Sequence, residues 1–482
     1  MKKLIVVFMA LMVTCCSACS KSPERPDTGG KKEDETKVSE RNLERAVILI
    51  ENAAKHYSKD GTTALSMTYN PFTSKPSDNL VSVWEYTSSI EAVTAAMNSM
   101  KAFRDAGNSA VYDSKYETFK SLLARLYAGL EYYKGTFELT SYTGTATWSP
   151  YGVHRASSPG TAAVAGIENV YDDQMWIIRE LINAWRATGE SGYLERAEYL
   201  TAYVLDGWDC TLNASGKENG GITWGPGYVT KHACSNSPMI TPLVWLHEIY
   251  KGKSDEITYG VINADNTRAK KTSKKADWYL EMAVKIYEWQ KGCLLRSDGV
   301  YDDFMGGYKT GGGQPEYETV NGANYRKNTA LYDMVGPAYS YNSGTMLSGV
   351  ADLYGATSKD SYLAYAKELT DKSFKYFAKL GATVPDHYTY SVTGNNPWFN
   401  DVLLRGYIAA AGYFSGAAVC VQSYQDCLDY AWDKFLENNT LPVSLLAGWN
   451  SDKSKNNVNL MFTFARAAEY ATLAEYQLGK GK

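Results

Sequence analysis

The sequence contains few of the residues from which metal and redox sites are built. Among its 482 residues there are five histidines, and none stands at the spacing of a metal-binding motif such as His-Glu-x-x-His. Five cysteines follow the N-terminal segment, an odd number without a Cys-x-x-Cys pair, which argues against a disulfide framework and a zinc site. Cys420 and Cys427 are able to pair, although nothing requires it. We expect neither a metal ion nor a cofactor.

Other features that the sequence lacks argue against nucleotide binding, nucleic-acid binding and membrane-spanning segments. There is no Gly-x-Gly-x-x-Gly segment that opens a helix and no phosphate-binding P-loop, which argues against nucleotide chemistry. The formal net charge is −4, whereas a nucleic-acid surface needs an excess of basic residues. After the N-terminus, no apolar run is long enough to cross a membrane.

Aromatic residues, by contrast, are abundant, with 38 Tyr and 12 Trp. Exposed aromatic rings suit a sugar-binding cleft, because the apolar face of a pyranose packs on them. A tyrosine-rich composition is equally compatible with close packing in the protein core. Composition alone leaves both interpretations open.

The N-terminus has the features of an export signal. A positive segment, MKK, precedes LIVVFMALMVT, which is apolar but too short to be a stable membrane anchor. Ser17 and Ala18 directly precede Cys19, an arrangement that resembles a bacterial lipoprotein signal in which Cys19 is lipidated. Residues 20–40 are polar and charged, as is typical of a flexible tether. We predict a signal peptide over 1–19, a tether over 20–40 and one domain over 41–482, held at the outer membrane of a bacterium.

Apolar periodicity of the helical type dominates the rest of the chain. It predicts twelve helices over 41–57, 84–105, 113–133, 170–187, 191–206, 236–250, 276–293, 340–354, 359–379, 400–415, 419–437 and 459–478. Long loops rich in Gly, Tyr and Asn separate them, and loops of this length in a compact domain are usually functional.

An internal repeat indicates how the helices are arranged. ATGESGYLERAEYL (187–200) and ATSKDSYLAYAKEL (356–369) share a pattern, and a partial copy, YLEMAVKI, starts at Tyr279. The Tyr-Leu pairs are about 85 residues apart, which suits a helical hairpin plus its loops, whereas a tetratricopeptide array repeats every 34 residues or so. Six hairpins of roughly 75 residues fill the domain. We predict an all-α fold, an (α/α)6 toroid.

Two adjacent aspartates, Asp172 and Asp173, open the helix in NVYDDQMWIIRELINAW (169–185). Acidic residues are favoured at any helix N-terminus, so a purely structural role is one interpretation. Tyr171 and Trp176 give the pair an aromatic setting, and a Gly-rich loop precedes it. A pair of carboxylates whose pKa values differ can hydrolyse glycosides. Adjacent residues favour the short separation of about 5 Å that retaining enzymes use.

Several motifs, in the same order, resemble glycoside hydrolase family 76, the endo-α-1,6-mannanases. These are YDDQMW (171–176), GGITWGPGYVTKHACSNSPMI (220–240), SDGVYDDF (297–304), YSYNSGTMLSGVADLYGAT (339–357) and, more loosely, LLRGYIAAAGYF (403–414). The resemblance runs from about residue 84 to 415 and implies an (α/α)6 toroid, in agreement with the helix count.

The same resemblance implies roles for individual residues. Asp172 corresponds to the nucleophile and Asp173 to the general acid/base. The family's sugar subsites correspond to Asn236, Asp302, Tyr341 and Asn342, with Trp176 and Trp224 as candidates for stacking on sugar or shaping the cleft. Asp303 stands where Gly is usual, so either Asp302 or Asp303 is the residue that contacts sugar.

The sequence thus predicts a retaining endo-α-1,6-mannanase that acts on α-mannan, free of cofactors and monomeric. The first alternative is a relative that transfers the mannosyl unit or cleaves another α-linked glycan. The second is a lipoprotein that binds glycans without catalysis, although such a module has no reason to keep two adjacent carboxylates in an aromatic setting.

Overall fold

The computed structural model describes residues 35–59, 61–306 and 313–480. The predicted signal peptide, Cys19 and most of the predicted tether lie outside the described residues. Within them the chain forms twelve α-helices: α1 Glu35–His56, α2 Val83–Asp105, α3 Ala110–Leu130, α4 Tyr171–Thr188, α5 Ser191–Asp206, α6 Ile240–Tyr250, α7 Lys275–Leu294, α8 Ser340–Thr357, α9 Asp360–Phe377, α10 Asn396–Ala411, α11 Ala418–Phe435 and α12 Leu460–Lys480.

Most helices begin and end within a few residues of the predicted positions. The difference of note is at the start, where α1 begins at Glu35, so residues 35–40 are helical rather than part of a tether. Among the described residues, no helix is both long and apolar enough to cross a membrane.

The even-numbered helices form a closed inner ring. Each of α2, α4, α6, α8 and α10 packs against the next even-numbered helix, and α12 packs against α2. The odd-numbered helices lie outside, each antiparallel to an inner neighbour. Helix α1 packs on α12, so the two ends of the domain form the sixth pair and close the ring. The predicted (α/α)6 toroid is confirmed.

Close packing within the ring explains some of its composition. A Cβ atom on Gly344 of α8 would lie 2.6 Å from the carbonyl oxygen of Val402 on α10, and one on Gly406 would lie 2.7 Å from that of Gly344. These contacts exclude any side chain, so the two backbones approach directly. The repeated Tyr-Leu pairs fall on the outer helices α5, α7 and α9, at Tyr193, Tyr279 and Tyr362.

Short strands in the loops were not predicted from the periodicity, because most are too short to show an alternating pattern. Their bounds are β1 Thr68–Asn70, β2 Lys75–Pro76, β3 Phe137–Thr140, β4 Thr145–Trp148, β5 Lys231–His232, β6 Glu256–Ile262, β7 Arg268–Lys274, β8 Phe304–Met305, β9 Tyr317–Val320, β10 Ala323–Arg326, β11 Met334–Val335, β12 Lys379–Leu380, β13 Tyr388–Thr389 and β14 Val458–Asn459. They pair antiparallel in small sheets. One sheet, with strand order β11-β8-β5, ties together the α5–α6 loop and the α7–α8 loop on the side of the ring where the inner helices begin.

The tyrosines are mainly a feature of packing. At least eleven have less than 2% of their side chain exposed: Tyr57, Tyr69, Tyr86, Tyr133, Tyr142, Tyr171, Tyr203, Tyr279, Tyr301, Tyr407 and Tyr470. Several of their hydroxyls bond backbone carbonyls, as Tyr86 does with Leu126 at 3.0 Å and Tyr133 with Val81 at 2.8 Å. All five cysteines of the described residues are free thiols, including Cys420 and Cys427.

Candidate active site

Asp172 and Asp173 lie in the first turn of α4 but do not cap it. The N-cap residue is Val170, which has extended backbone angles and no side chain able to accept a hydrogen bond. Tyr171 N–H instead donates to the carbonyl of Trp224 at 2.8 Å, which anchors the helix start to the neighbouring loop. Neither aspartate therefore occupies the N-cap position, although backbone N–H groups of the helix start stabilise the Asp172 carboxylate.

The pair faces a cavity of about 750 Å³ at the end of the ring where the inner helices begin. Its wall includes eight aromatic side chains: Trp84, Trp176, Trp224, Tyr228, Tyr339, Tyr341, Trp398 and Phe399. Its polar lining includes Asp172, Asp173 and Asp303. Carboxylates set among aromatic walls are the combination that binds and cleaves a sugar chain.

Asp172 is the more acidic member of the pair. Burial raises the pKa of its carboxyl to about 6, and the Cys234 thiol, the backbone N–H groups of the helix start and the Trp224 indole partly offset that rise. Asp172 Oδ1 and Trp224 Nε1 are buried, and neither makes a protein hydrogen bond of ordinary geometry. An unsatisfied acceptor and donor beside a cavity are well placed to meet a ligand.

Asp173 has the opposite electrostatic environment. Only 6% of it is exposed, and burial together with the negative charge of Asp172 raises the pKa of its carboxyl well above the usual value. At neutral pH the geometry therefore favours an ionised Asp172 beside a protonated Asp173. This is the division between nucleophile and acid that two adjacent carboxylates need in order to share one reaction.

Asp303, and not Asp302, reaches the cavity. The Tyr341 hydroxyl donates to Asp303 Oδ1 at 3.1 Å, and burial raises the pKa of Asp303 to about 6. Asp302 is turned away from the lining and forms an ion pair with Arg296 at 3.1 Å.

The two asparagines also lie outside the lining of the cavity. Asn236 is fully buried; its Oδ1 accepts from Ile222 N–H at 2.8 Å, and its Nδ2 donates to the carbonyl of His232 at 2.7 Å. It thereby holds the loop that carries Trp224. Asn342 Nδ2 donates to the backbone carbonyl of Asp302 at 3.3 Å. Of the predicted sugar-contacting residues, the structure brings Trp176, Trp224, Asp303 and Tyr341 into the cavity and leaves out Asn236, Asp302 and Asn342.

Several lining residues were not identified from the sequence. Trp84 follows Ser82, which caps α2 through a reciprocal bond with Glu85, while Trp398 and Phe399 lie in the first turn of α10. The sequence does contain a pattern that predicts them. In a ring of hairpins the inner helices all begin at the same end, so aromatic residues in the first turn of an inner helix lie at that end.

His232 is a packed, neutral side chain. Its ring stacks between Trp224, at 4.8 Å between centroids, and Phe304, at 4.6 Å. Burial lowers the pKa of this histidine to about 4, so it carries no charge at neutral pH. Within the part of the chain that the structure describes, no cluster of His, Cys, Asp and Glu has the geometry of a metal site.

Comparisons with known proteins give one matching family model and several similar solved structures. Residues 267–440 match the model of glycosyl hydrolase family 76. The structure is similar to a family 76 mannosidase from Bacteroides thetaiotaomicron, with 20% identity over 90% of this chain and 98% of that one and a TM-score of 0.66. A search of curated proteins finds no match.

A second similar structure is the alpha-1,6-mannanase of Salegentibacter. An inactive variant, with two consecutive aspartates replaced by asparagine, is bound there to alpha-1,6-mannotriose. It has 16% identity over 92% of this chain and all of that one, with a TM-score of 0.56. At such identities the likeness shows a shared fold.

Proposed function

We propose that the chain, which matches the model of glycosyl hydrolase family 76 over residues 267–440, is a member of that family and a retaining endo-α-1,6-mannanase that hydrolyses the backbone of α-mannan. The observation that carries this proposal is the adjacent pair Asp172 and Asp173 in an aromatic cavity, with their pKa values held apart. The mannotriose bound to the Salegentibacter relative, in which two consecutive aspartates are replaced, supports the substrate class.

The first step forms a covalent intermediate. The ionised carboxylate of Asp172 attacks C1 of the mannosyl unit, while Asp173 donates its proton to the oxygen that leaves with the rest of the chain. One C–O bond breaks and one forms, leaving a mannosyl ester on Asp172 and a carboxylate on Asp173.

In the second step, water displaces Asp172 from C1 and Asp173 acts as the base. Esterification removes the negative charge of Asp172, one of the two causes of the raised pKa of Asp173, which then accepts a proton from water. That water attacks C1, the ester bond breaks and Asp172 is released as a carboxylate. Two displacements at C1 retain the anomeric configuration.

Substrate contacts follow from the lining. The indoles offer apolar faces for pyranose rings, and the Asp303 carboxyl, held by Tyr341, is placed to bond sugar hydroxyls. A transferring relative or one acting on another α-linked glycan uses the same two carboxylates, so the identity of products separates these alternatives. A non-catalytic binder would leave the glycan intact.

We also propose that the protein is an exported lipoprotein tethered to the outer membrane through Cys19, as the N-terminal sequence predicts. Cys19→Ala should move the protein from the membrane fraction to the soluble fraction. Retention of this variant in membranes would contradict a lipid anchor at Cys19.

The activity is tested by incubating the protein with unbranched α-1,6-mannan and separating the products by length. We expect oligosaccharides of several lengths early in the digest. Release of mannose alone would indicate action from the chain end, and an intact polymer would contradict the proposed function.

A further inference from the structure

Glu91 lies beneath the active-site cavity at a junction of three inner helices. It is on α2 and is 5% exposed. Its Oε1 forms ion pairs with Arg405 of α10 and, at 3.4 Å, with Arg179 of α4. Its Oε2 accepts a hydrogen bond from Trp398 Nε1 at 3.2 Å. The two oxygens of one carboxylate thus have different partners.

The indole that Glu91 holds is part of an ordered aromatic cluster. Trp398 packs edge-to-face on Trp84, with centroids 5.3 Å apart and planes at 84°, and on Trp176, at 5.0 Å and 89°. All three rings line the cavity, and we call them the indole floor. Perpendicular packing fixes each ring relative to the next.

The indole floor is also connected to the reactive pair. Trp176 lies four residues after Asp172 and three after Asp173 on α4, so it occupies the same helix face one turn deeper. The orientation of Trp398 therefore affects both the surface on which sugar packs and Trp176, which neighbours the carboxylate pair.

We propose that Glu91 is a positioning residue for glycan binding, which fixes the indole of Trp398 and, through it, the indole floor. This inference rests on the proposed function, because it assigns a role in binding the same substrate. A carboxylate suits the role better than an amide. Glutamine has a single acceptor oxygen, which cannot serve the two guanidinium groups and the indole N–H together.

The test compares Glu91→Gln, Trp398→Phe and the double variant in hydrolysis of α-1,6-mannan oligosaccharides. Each single change should raise KM about five- to tenfold, the equivalent of one lost hydrogen bond of ordinary strength, with kcat within about twofold. Because both changes break the same bond, the double variant should be little worse than either single variant.

A matched control is Glu198→Gln. Glu198 is a partly buried carboxylate on the outer helix α5 that pairs with Lys275 at 2.7 Å and does not line the cavity. If the loss of any such carboxylate were enough to raise KM, this variant would raise it as Glu91→Gln does. We expect its KM to stay at the wild-type value.

A second readout needs no substrate. In ¹⁵N-tryptophan spectra, the indole N–H signal of Trp398, identified by its loss in Trp398→Phe, should exchange slowly in the wild-type protein and much faster in Glu91→Gln. Should Glu91→Gln fail to fold, Trp398→Phe alone still tests the role through KM.

The inference is overturned if KM stays at the wild-type value in Trp398→Phe, if the two effects are additive, or if exchange of the Trp398 N–H is unchanged in Glu91→Gln. These outcomes differ from failure of the proposed function, in which the wild-type protein does not cleave the glycan while the exchange result still holds.

Discussion

Two sets of buried carboxylates lie close together in this ring, and they differ in whether a basic side chain pairs with them. At the cavity, Asp172, Asp173 and Asp303 form no ion pair with any Lys, Arg or His among residues 35–59, 61–306 and 313–480. Deeper in the ring, Glu91 and Glu180 share Arg179. We call these the cavity carboxylates and the paired carboxylates.

The difference separates a reactive role from a structural one. A buried carboxylate without a cation holds its proton at higher pH, so it can deliver that proton during a reaction. A carboxylate that has an arginine partner is held in one geometry by its ion pair instead. The two sets are similarly buried, but the cavity carboxylates are suited to proton transfer and the paired carboxylates to orienting neighbouring side chains.

The largest effect is expected from the pair itself. Asp172→Asn and Asp173→Asn should each lower kcat on α-1,6-mannan by about a thousandfold or more, because nucleophile and proton donor are lost in turn. Asp302→Asn is the matched control, since Asp302 faces Arg296 and not the cavity, and it should keep most of the activity. If Asp172→Asn or Asp173→Asn kept wild-type turnover, the cavity carboxylates would lack the reactive role that distinguishes them from the paired carboxylates.

The two sets should also differ in the sign of their effect on stability. Glu180→Gln breaks a buried pair with Arg179 and should lower the free energy of unfolding by about 3 kcal/mol or more. Asp173→Asn should raise Tm at pH 7. The raised pKa of folded Asp173 means that stability falls as pH rises above the pKa of the unfolded carboxyl, and asparagine removes that loss.

This stability prediction is checked by thermal unfolding at two pH values. Near pH 3, where Asp173 is largely protonated in both states, the advantage of Asp173→Asn should be almost gone. A variant that unfolds at lower temperature than wild type at pH 7 would show that Asp173 has a stabilising partner.

A smaller effect is expected at Asp303. Asp303→Asn should raise KM about tenfold with a modest fall in kcat, because it weakens a charged hydrogen bond to sugar and leaves the reacting groups in place. Tyr341→Phe, which removes the hydroxyl that holds Asp303, should give a smaller rise in the same constant. Unchanged KM in both would exclude this side of the cavity from sugar binding.

The pH dependence is the finest test. Burial sets the pKa of Asp172 to about 6, so kcat/KM should fall as pH drops through 6 and this carboxylate is protonated. It should fall again at high pH, where Asp173 loses its proton. Activity that rises steadily below pH 5 would contradict an ionised Asp172 in the free enzyme.

Much of the fold follows from the sequence because its signals are local. Apolar periodicity specifies each helix from residues a few turns apart, and the Tyr-Leu repeat is a short motif whose recurrence about every 85 residues indicates the hairpins. The hairpin β6–β7, at Glu256–Ile262 and Arg268–Lys274, was not predicted because none of its residues is fully buried, so its strands lack a clear alternation of buried apolar and exposed polar residues.

The site was predictable where one helix carries it and less so where loops do. Asp172, Asp173 and Trp176 share one face of α4, so their proximity follows from helical spacing. Asp302 and Asp303 are consecutive residues in an extended segment leading into β8, where neighbouring side chains point in opposite directions. Which of them faces the cavity depends on pairing with β5 and β11, which are remote in sequence.

The central claim is that Asp172 and Asp173 act together in a double displacement, and the stereochemistry of the product tests it most directly. ¹H NMR can follow the first sugar released from α-1,6-mannan by the wild-type protein, before mutarotation. The account predicts the α-anomer. A β-anomer as first product would mean a single displacement by water and would contradict Asp172 as the nucleophile.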